Sequence, residues 1–114
     1  MLMTTTPTLE GLKILEYKGL VVSQTLEGTN FVRDIVSQWK NFFGGRNKTY
    51  EEVFERARAT ALTELEERAN ALGANAIVGM RIDYESVGAA NDLLLVTATG
   101  TAVTIAPPDA PAAV

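Results

Sequence analysis

Residues 71–103 read ALGANAIVGMRIDYESVGAANDLLLVTATGTAV, and this stretch decides the fold. Leu72-Gly73 closes a helix, because glycine accepts the left-handed conformation that follows a last helical turn. Two strands come next, Ala76–Tyr84 and Leu93–Val103, joined by a turn over Val87–Asp92 that holds Gly88 and Asn91. In the first strand Ala76, Val78, Met80, Ile82 and Tyr84 share one face, and Ile77, Gly79, Arg81, Asp83 and Glu85 share the other. In the second, Leu94, Val96, Ala98, Gly100 and Ala102 form a face of mostly small side chains that lets a helix approach closely. Leu93, Leu95, Thr97, Thr99, Thr101 and Val103 form the opposite face, where threonine tolerates either water or a partner. Neither strand separates an oily face from a charged one, as a sheet backed by solvent does. The expectation is a sheet covered on both sides, with sister subunits supplying the second cover.

Upstream of this stretch, Thr49-Tyr50-Glu51-Glu52 matches a capping box that starts a long helix. Phe54, Ala57, Ala61, Leu65, Ala69 and Leu72 give its inward stripe. Arg58 and Arg68 sit within or beside that apolar arc. An arginine there can pack its stem and pair its head across a subunit boundary, so both are candidate interface residues. Before it, Thr29–Phe43 predicts a further amphipathic helix. Phe31, Val32, Ile35, Val36, Trp39, Phe42 and Phe43 fall within about 140° of a helical wheel, and polar residues fill the remainder. Gly44-Gly45 ends it. Arg33 and Asp34 point about 100° apart on such a helix, so each is expected to find its own partner. With Trp39 they complete the candidate interface set, and an inter-subunit salt bridge is the expected use of the two charges.

At the N-terminal end, Lys13–Leu26 reads as a long strand with a bend or bulge at Gly19. Met3–Thr6 reads as a short edge strand stopped by Pro7, and Thr8–Gly11 as a turn. Residues 106–114, with Pro107, Pro108 and Pro111, predict a disordered Pro/Ala tail. The order is β-β-α-α-β-β, an α+β class in one domain over residues 1–105.

Composition narrows the chemistry. The chain has 114 residues and a net charge of −4, with 46% hydrophobic and 21% charged residues. A surplus of apolar residues on a chain this small points to an interface. The acidic balance argues against general nucleic-acid binding, which needs cations to displace phosphate counterions. Cysteine and histidine are both absent, which removes thiolate and imidazole as nucleophile, general base or metal ligand. The N-terminal residues show no signal-peptide pattern, and no apolar run approaches the ~20 residues of a membrane span. A cytoplasmic location is the expectation, with neither nucleic acid nor membrane as partner.

Among oxygen ligands, Asp83 and Glu85 share a strand face about 7 Å apart. They could bracket a hard divalent cation such as Ca²⁺ or Mg²⁺ if a third carboxylate joined them. The plainer reading is a solvated face balanced by Arg81. Gly44-Gly45-Arg46-Asn47-Lys48-Thr49 is glycine-rich, basic and opens a helix, but it lacks P-loop spacing and reads as an inter-helix turn. The Phe31–Phe43 stripe, flanked by Arg33, Lys40, Arg46 and Lys48, has the form of a membrane-surface helix, although burial against protein produces the same pattern. Tyr17, Tyr50, Tyr84 and the carboxylates show no spacing that marks a catalytic constellation, and no cofactor motif is evident.

An ordered set of segments then resembles a known family. The segments are Thr6-Pro7-Thr8-Leu9-Glu10-Gly11, Glu16-Tyr17-Lys18-Gly19, Gly28 with Asn30 and Arg33-Asp34, and Gly44-Gly45-Arg46. The longest runs from Ala71 through Gly79 and on through Asp83-Tyr84-Glu85 to Gly88, and Thr99-Gly100-Thr101-Ala102-Val103 closes the set. Together, over about residues 3–105, they resemble the YbjQ-like family. The resemblance implies a dodecin-like β-α-β-β subunit, with a long helix against a curved antiparallel sheet, an extra short N-terminal strand and an additional helix. It also implies a homopentameric ring and carries the label of heavy-metal binding. Some members have a cysteine in the Glu-Tyr-x-Gly segment, where this chain has Lys18. The functional expectation is a ring-forming, non-enzymatic protein that binds a small ligand or metal ion at its subunit interfaces. Two alternatives stand beside it: a membrane-surface or protein-interaction scaffold using Phe31–Phe43, and an enzyme with a carboxylate-based site between subunits.

Overall fold

The computed structural model describes residues 1–27, 48–89 and 93–106. In chain order the elements are β1 (Leu2–Met3), β2 (Ile14–Glu27), α1 (Lys48–Ala71), β3 (Ala76–Val87) and β4 (Leu93–Ile105). The predicted helix Thr29–Phe43, with Arg33, Asp34 and Trp39, lies outside the described residues, as does the tail from residue 107 onward. The strands form one sheet in the order β1-β3-β4-β2. The β3-β4 and β4-β2 pairs are antiparallel, whereas β1 runs parallel to β3 through Leu2↔Ala76 and Met3↔Ile77. The class is α+β, one helix on a four-stranded sheet.

Helix α1 packs against one face through Val53, Ala57, Ala61, Leu65 and Ala69, all buried. The i, i+4 spacing of these residues puts them on one stripe. Leu72 departs from the expected stripe: it stays 44% exposed. The chain has already turned there, with Leu72 N–H and Ala74 N–H donating to Ala69 O and Gly73 N–H to Asn70 O. Gly73 takes φ +82°, as a helix C-terminus requires. From the sheet, Leu94, Val96, Ala98 and Ala102 meet the helix in the same core cluster as Val21, Ile77 and Met80. Gly100 belongs to that β4 face by alternation. Small residues therefore line both sides of the contact.

The simple alternation expected for β3 breaks at Gly79. Pairing runs Val78↔Thr101 and then Arg81↔Thr99, so β3 holds one residue more than β4 across this step. Gly79 absorbs the bulge at φ +61°. Ala76 and Val78 consequently face away from α1, while Ile77 and Met80 both enter the helix-side core. The backbone groups freed by the bulge find partners in the N-terminal segment: Gly79 N–H donates to Thr6 O and Met80 N–H to Thr4 O. In β2 the expected irregularity at Gly19 is present as a bulge between Tyr17 and Gly19, and a second lies between Ile14 and Glu16.

Among the described residues, the second sheet face is covered at one end, and from within the chain. Ala76, Val78, Val103 and Ile105 are buried there under Leu9, Leu12 and Ile14. Part of the two-sided burial that the sequence assigned to sister subunits is thus supplied by the chain's own N-terminal loop. Towards the other end the face is open.

Candidate functional site

Directly opposed residues of neighbouring strands point to the same side of a sheet. The pairs Leu20↔Thr101, Val22↔Thr99, Gln24↔Thr97 and Leu26↔Leu95 therefore lie on the face away from α1, since Val21 and Ser23 between them are buried beneath the helix. On β3 the same side carries Arg81, Asp83 and Glu85, opposite Thr99, Thr97 and Leu95. The open face is thus zoned: an apolar band on β2, threonines along β4 and charges on β3. Leu20 is 72% exposed, Leu26 56% and Tyr17 65%. These large apolar side chains stand exposed along a single strand, β2.

Asp83 and Glu85 are both on this face and both exposed. Arg81 Nε donates to the two oxygens of Asp83 at 3.2 Å each, so Asp83 already has a cationic partner. Among the described residues, no three His, Cys, Asp or Glu side chains gather as a metal site would need. Arg58 lies on the exposed side of α1 near the far end of β3, where its Nη1 donates to the Tyr84 hydroxyl at 3.4 Å. Tyr84 also meets the Phe54 ring at 5.6 Å between centroids. Arg68 is exposed in the last turn of α1, where a cation complements the helix dipole. The structure does not bring Arg58 or Arg68 to the Asp83–Glu85 pair as an ion-pair partner.

Two residues that sequence reading passed over, Ser23 and Asn75, hold the framework together. Ser23, 1% exposed, donates its hydroxyl to Ala61 O at 2.6 Å and fixes β2 to the middle of α1. A net contribution of about 1 kcal/mol is typical of such a bond. Asn75 mimics a strand residue: its Nδ2 donates to Ile105 O at 3.0 Å and its Oδ1 accepts from Ile105 N–H at 2.7 Å. Lys18 sits at the β2 bulge, pairs with Glu16 at 3.0 Å and brings its Cε within 4.0 Å of the position a Gly73 Cβ would take. Its stem thus lies beside the turn that follows α1. Only the Lys18-Gly19 pair hinted at this, through the glycine that permits the bulge. No helix among the described residues is long and apolar enough to cross a membrane.

Comparison with known proteins follows the same outline. A family model described as "Putative heavy-metal-binding" matches residues 1–106. A UPF0145 protein of Clostridium botulinum (strain Eklund 17B / Type B) is 53% identical over 103 residues, covering 90% of this chain and 97% of the relative. A UPF0145 protein of Listeria monocytogenes serotype 4a (strain HCC23) is 50% identical over 105 residues, covering 92% and 96%. In three dimensions the chain is similar to the crystal structure of a protein of unknown function from the DUF74 family of Pediococcus pentosaceus. That match has a TM-score of 0.60 and 20% identity, over 93% of this chain and 98% of the other. The helix-on-sheet architecture is shared, and the sequence match spans all the described elements: the chain belongs to the YbjQ family of UPF0145 proteins.

Proposed function

We propose that this chain is the subunit of a dodecin-like homo-oligomeric ring, a homopentamer, which binds a small ligand at its subunit boundaries and is not an enzyme. The observation that carries the reading is the open sheet face. Leu20, Val22 and Leu26 would be left facing water in an isolated copy, and burial of apolar surface favours association by about 25 cal/mol per Å² removed from water. A face zoned from apolar to charged also suits a heterologous contact, in which two different patches meet and repetition closes a ring. Size-exclusion chromatography with light scattering at micromolar concentration tests this. The expected mass is a multiple of the 12.3 kDa subunit; a clean monomer overturns the reading.

The donor set does not fit a soft heavy metal. Zn²⁺ and Cu²⁺ seek thiolate or imidazole, and the chain has neither cysteine nor histidine anywhere in its sequence. Where the cysteine of some family members would stand, Lys18 places an ammonium paired with Glu16. Asp83 and Glu85 suit only a hard cation, and Arg81 competes for Asp83. Calorimetric titration is expected to show no sub-micromolar site for Zn²⁺ or Cu²⁺, and at most weak Ca²⁺ or Mg²⁺ binding that is lost in Asp83→Asn. Tight Zn²⁺ binding by the purified chain would contradict this account.

A further inference from the structure

We propose that the outer edge of β2 in one copy pairs, strand to strand, with the far edge of β3 in the next; this rests on the assembly reading above and names the two surfaces that meet. The order β1-β3-β4-β2 puts β2 at a border of the sheet, with β4 as its partner on one side. Among the described residues, nothing pairs with the other side of its 14 residues. At the opposite border, the N-terminal segment protects only the first part of β3. Thr4 N–H donates to Ile77 O at 2.9 Å, Gly79 N–H to Thr6 O at 2.8 Å and Met80 N–H to Thr4 O at 3.0 Å. Pro7 follows, and it has no amide hydrogen with which to extend the ladder. From Arg81 to Val87 the outer edge of β3 has no partner strand among the described residues.

An unpaired edge is a template for another strand, and proteins blunt such edges with bulges, prolines and lysines. β2 carries these devices in its first part: both bulges fall between Ile14 and Gly19, and Lys18 stands there. Leu20–Glu27 pairs with β4 residue for residue and holds no bulge, proline, glycine or lysine. The unprotected runs, Leu20–Glu27 and Arg81–Val87, are nearly equal in length. Charge favours joining them. Arg81, Asp83 and Glu85 charge every second position of β3, whereas Glu27 is the sole charge on the β2 run, so few like charges come side by side. An edge paired with its own copy makes a two-fold contact, which closes at two subunits and leaves the other edge open. Pairing β2 with β3 uses both edges of every copy and propagates head to tail. The direction follows as well. β2 and β3 both run antiparallel to β4, so they run parallel to one another. Neighbours in a ring of five differ by a fifth of a turn, too little to reverse a strand. β2 of one copy therefore meets β3 of the next in parallel, and backbone hydrogen bonds supply the affinity, as in other strand additions.

The chain has no cysteine, which makes the test direct. Gln24 and Asp83 are both exposed and both lie across from Thr97 of β4. Two strand spacings, about 10 Å, therefore separate them within a copy, beyond the roughly 7 Å between Cα atoms that a disulfide can bridge. Any link between cysteines at these positions joins two copies. Full-length chains carrying Gln24→Cys with one of Arg81→Cys, Asp83→Cys or Glu85→Cys are oxidised at micromolar concentration; the three positions cover a shift of one pleat either way. One of them is expected to give a ladder of covalently linked subunits on a denaturing gel, and Gln24→Cys alone none. In the assembled wild type, amide hydrogen exchange is expected to be slow at every residue of Leu20–Glu27, whereas a free edge leaves alternate amides fast. Fast alternate amides in the assembled protein overturn the edge pairing and leave the assembly standing. So do slow amides with no link from any of the three double variants, or linked dimers from Gln24→Cys alone. A monomeric wild type overturns both readings.

Discussion

Gly100→Val is expected to destabilise the fold by about 3 kcal/mol, the upper end of the usual cost of overpacking a core. A Cβ at Gly100 would lie 2.5 Å from Ile77 Cγ2, 3.1 Å from Met80 Cγ and 3.4 Å from Val78 O. Real Cβ atoms do not approach carbon at 2.5 Å, and Ile77 Cγ2 is the stiff branch of a β-branched side chain, 0% exposed, with little room to yield. The cause is the bulge in β3, which turns both Ile77 and Met80 over one position of β4. That position must then be empty. Gly79→Ala provides the contrast: Gly79 has φ +61° and nothing within 4 Å of its Cβ position. Its cost is conformational only, about 1–2 kcal/mol for a left-handed residue. Urea denaturation at a fixed protein concentration separates the two. A double variant, Gly100→Ala with Ile77→Ala, checks the mechanism. If the clash is the cause, the double variant loses less than the sum of the singles; strict additivity would refute it.

Leu65→Ala is expected to cost about 4 kcal/mol, towards the upper end of the measured range for leucine truncation. Leu65 is 0% exposed, and its helix neighbours on the stripe, Ala57, Ala61 and Ala69, are alanines at 0% exposure. The same core cluster holds Ala98 and Ala102 from β4 beside the larger Ile77, Met80 and Val96. Alanines have no rotamers with which to fill a vacated space, so the cavity stays open and its full penalty is felt. The Ser23–Ala61 hydrogen bond further holds β2 against α1 and resists collapse. The shift in the denaturation midpoint measures it; a loss below about 1 kcal/mol would mean that the helix slides into the gap.

Several features were readable from residue order alone. The helix stop at Gly73, the β2 irregularity at Gly19 and the small-residue face of β4 all come from local stereochemistry: φ freedom at glycine, and the two-residue period of a strand. The β3 faces were not readable, because one extra residue at Gly79 inverts the period, and a glycine in a strand announces a bulge only when its partner strand is known. The exposure of Leu72 had the same origin: the helical period continues on paper past the point where the chain turns. Asn75 was missed because it acts on backbone groups distant in sequence, those of Ile105. Of the candidate site, Asp83 and Glu85 fell on one face as the strand period required, but the contact of Arg81 with Asp83 needed coordinates.

By itself, then, the order of residues determined the strands and the long helix of the described residues, the absence of thiol and imidazole, and the small-side-chain contact between helix and sheet, since these depend on neighbours along the chain and on which atoms are present. Tertiary structure alone decided which side of β3 meets the helix, which half of the second face the N-terminal loop covers and which half stays open. Those outcomes depend on register and on contacts between residues far apart in the chain, where a single bulge residue reverses every side chain beyond it.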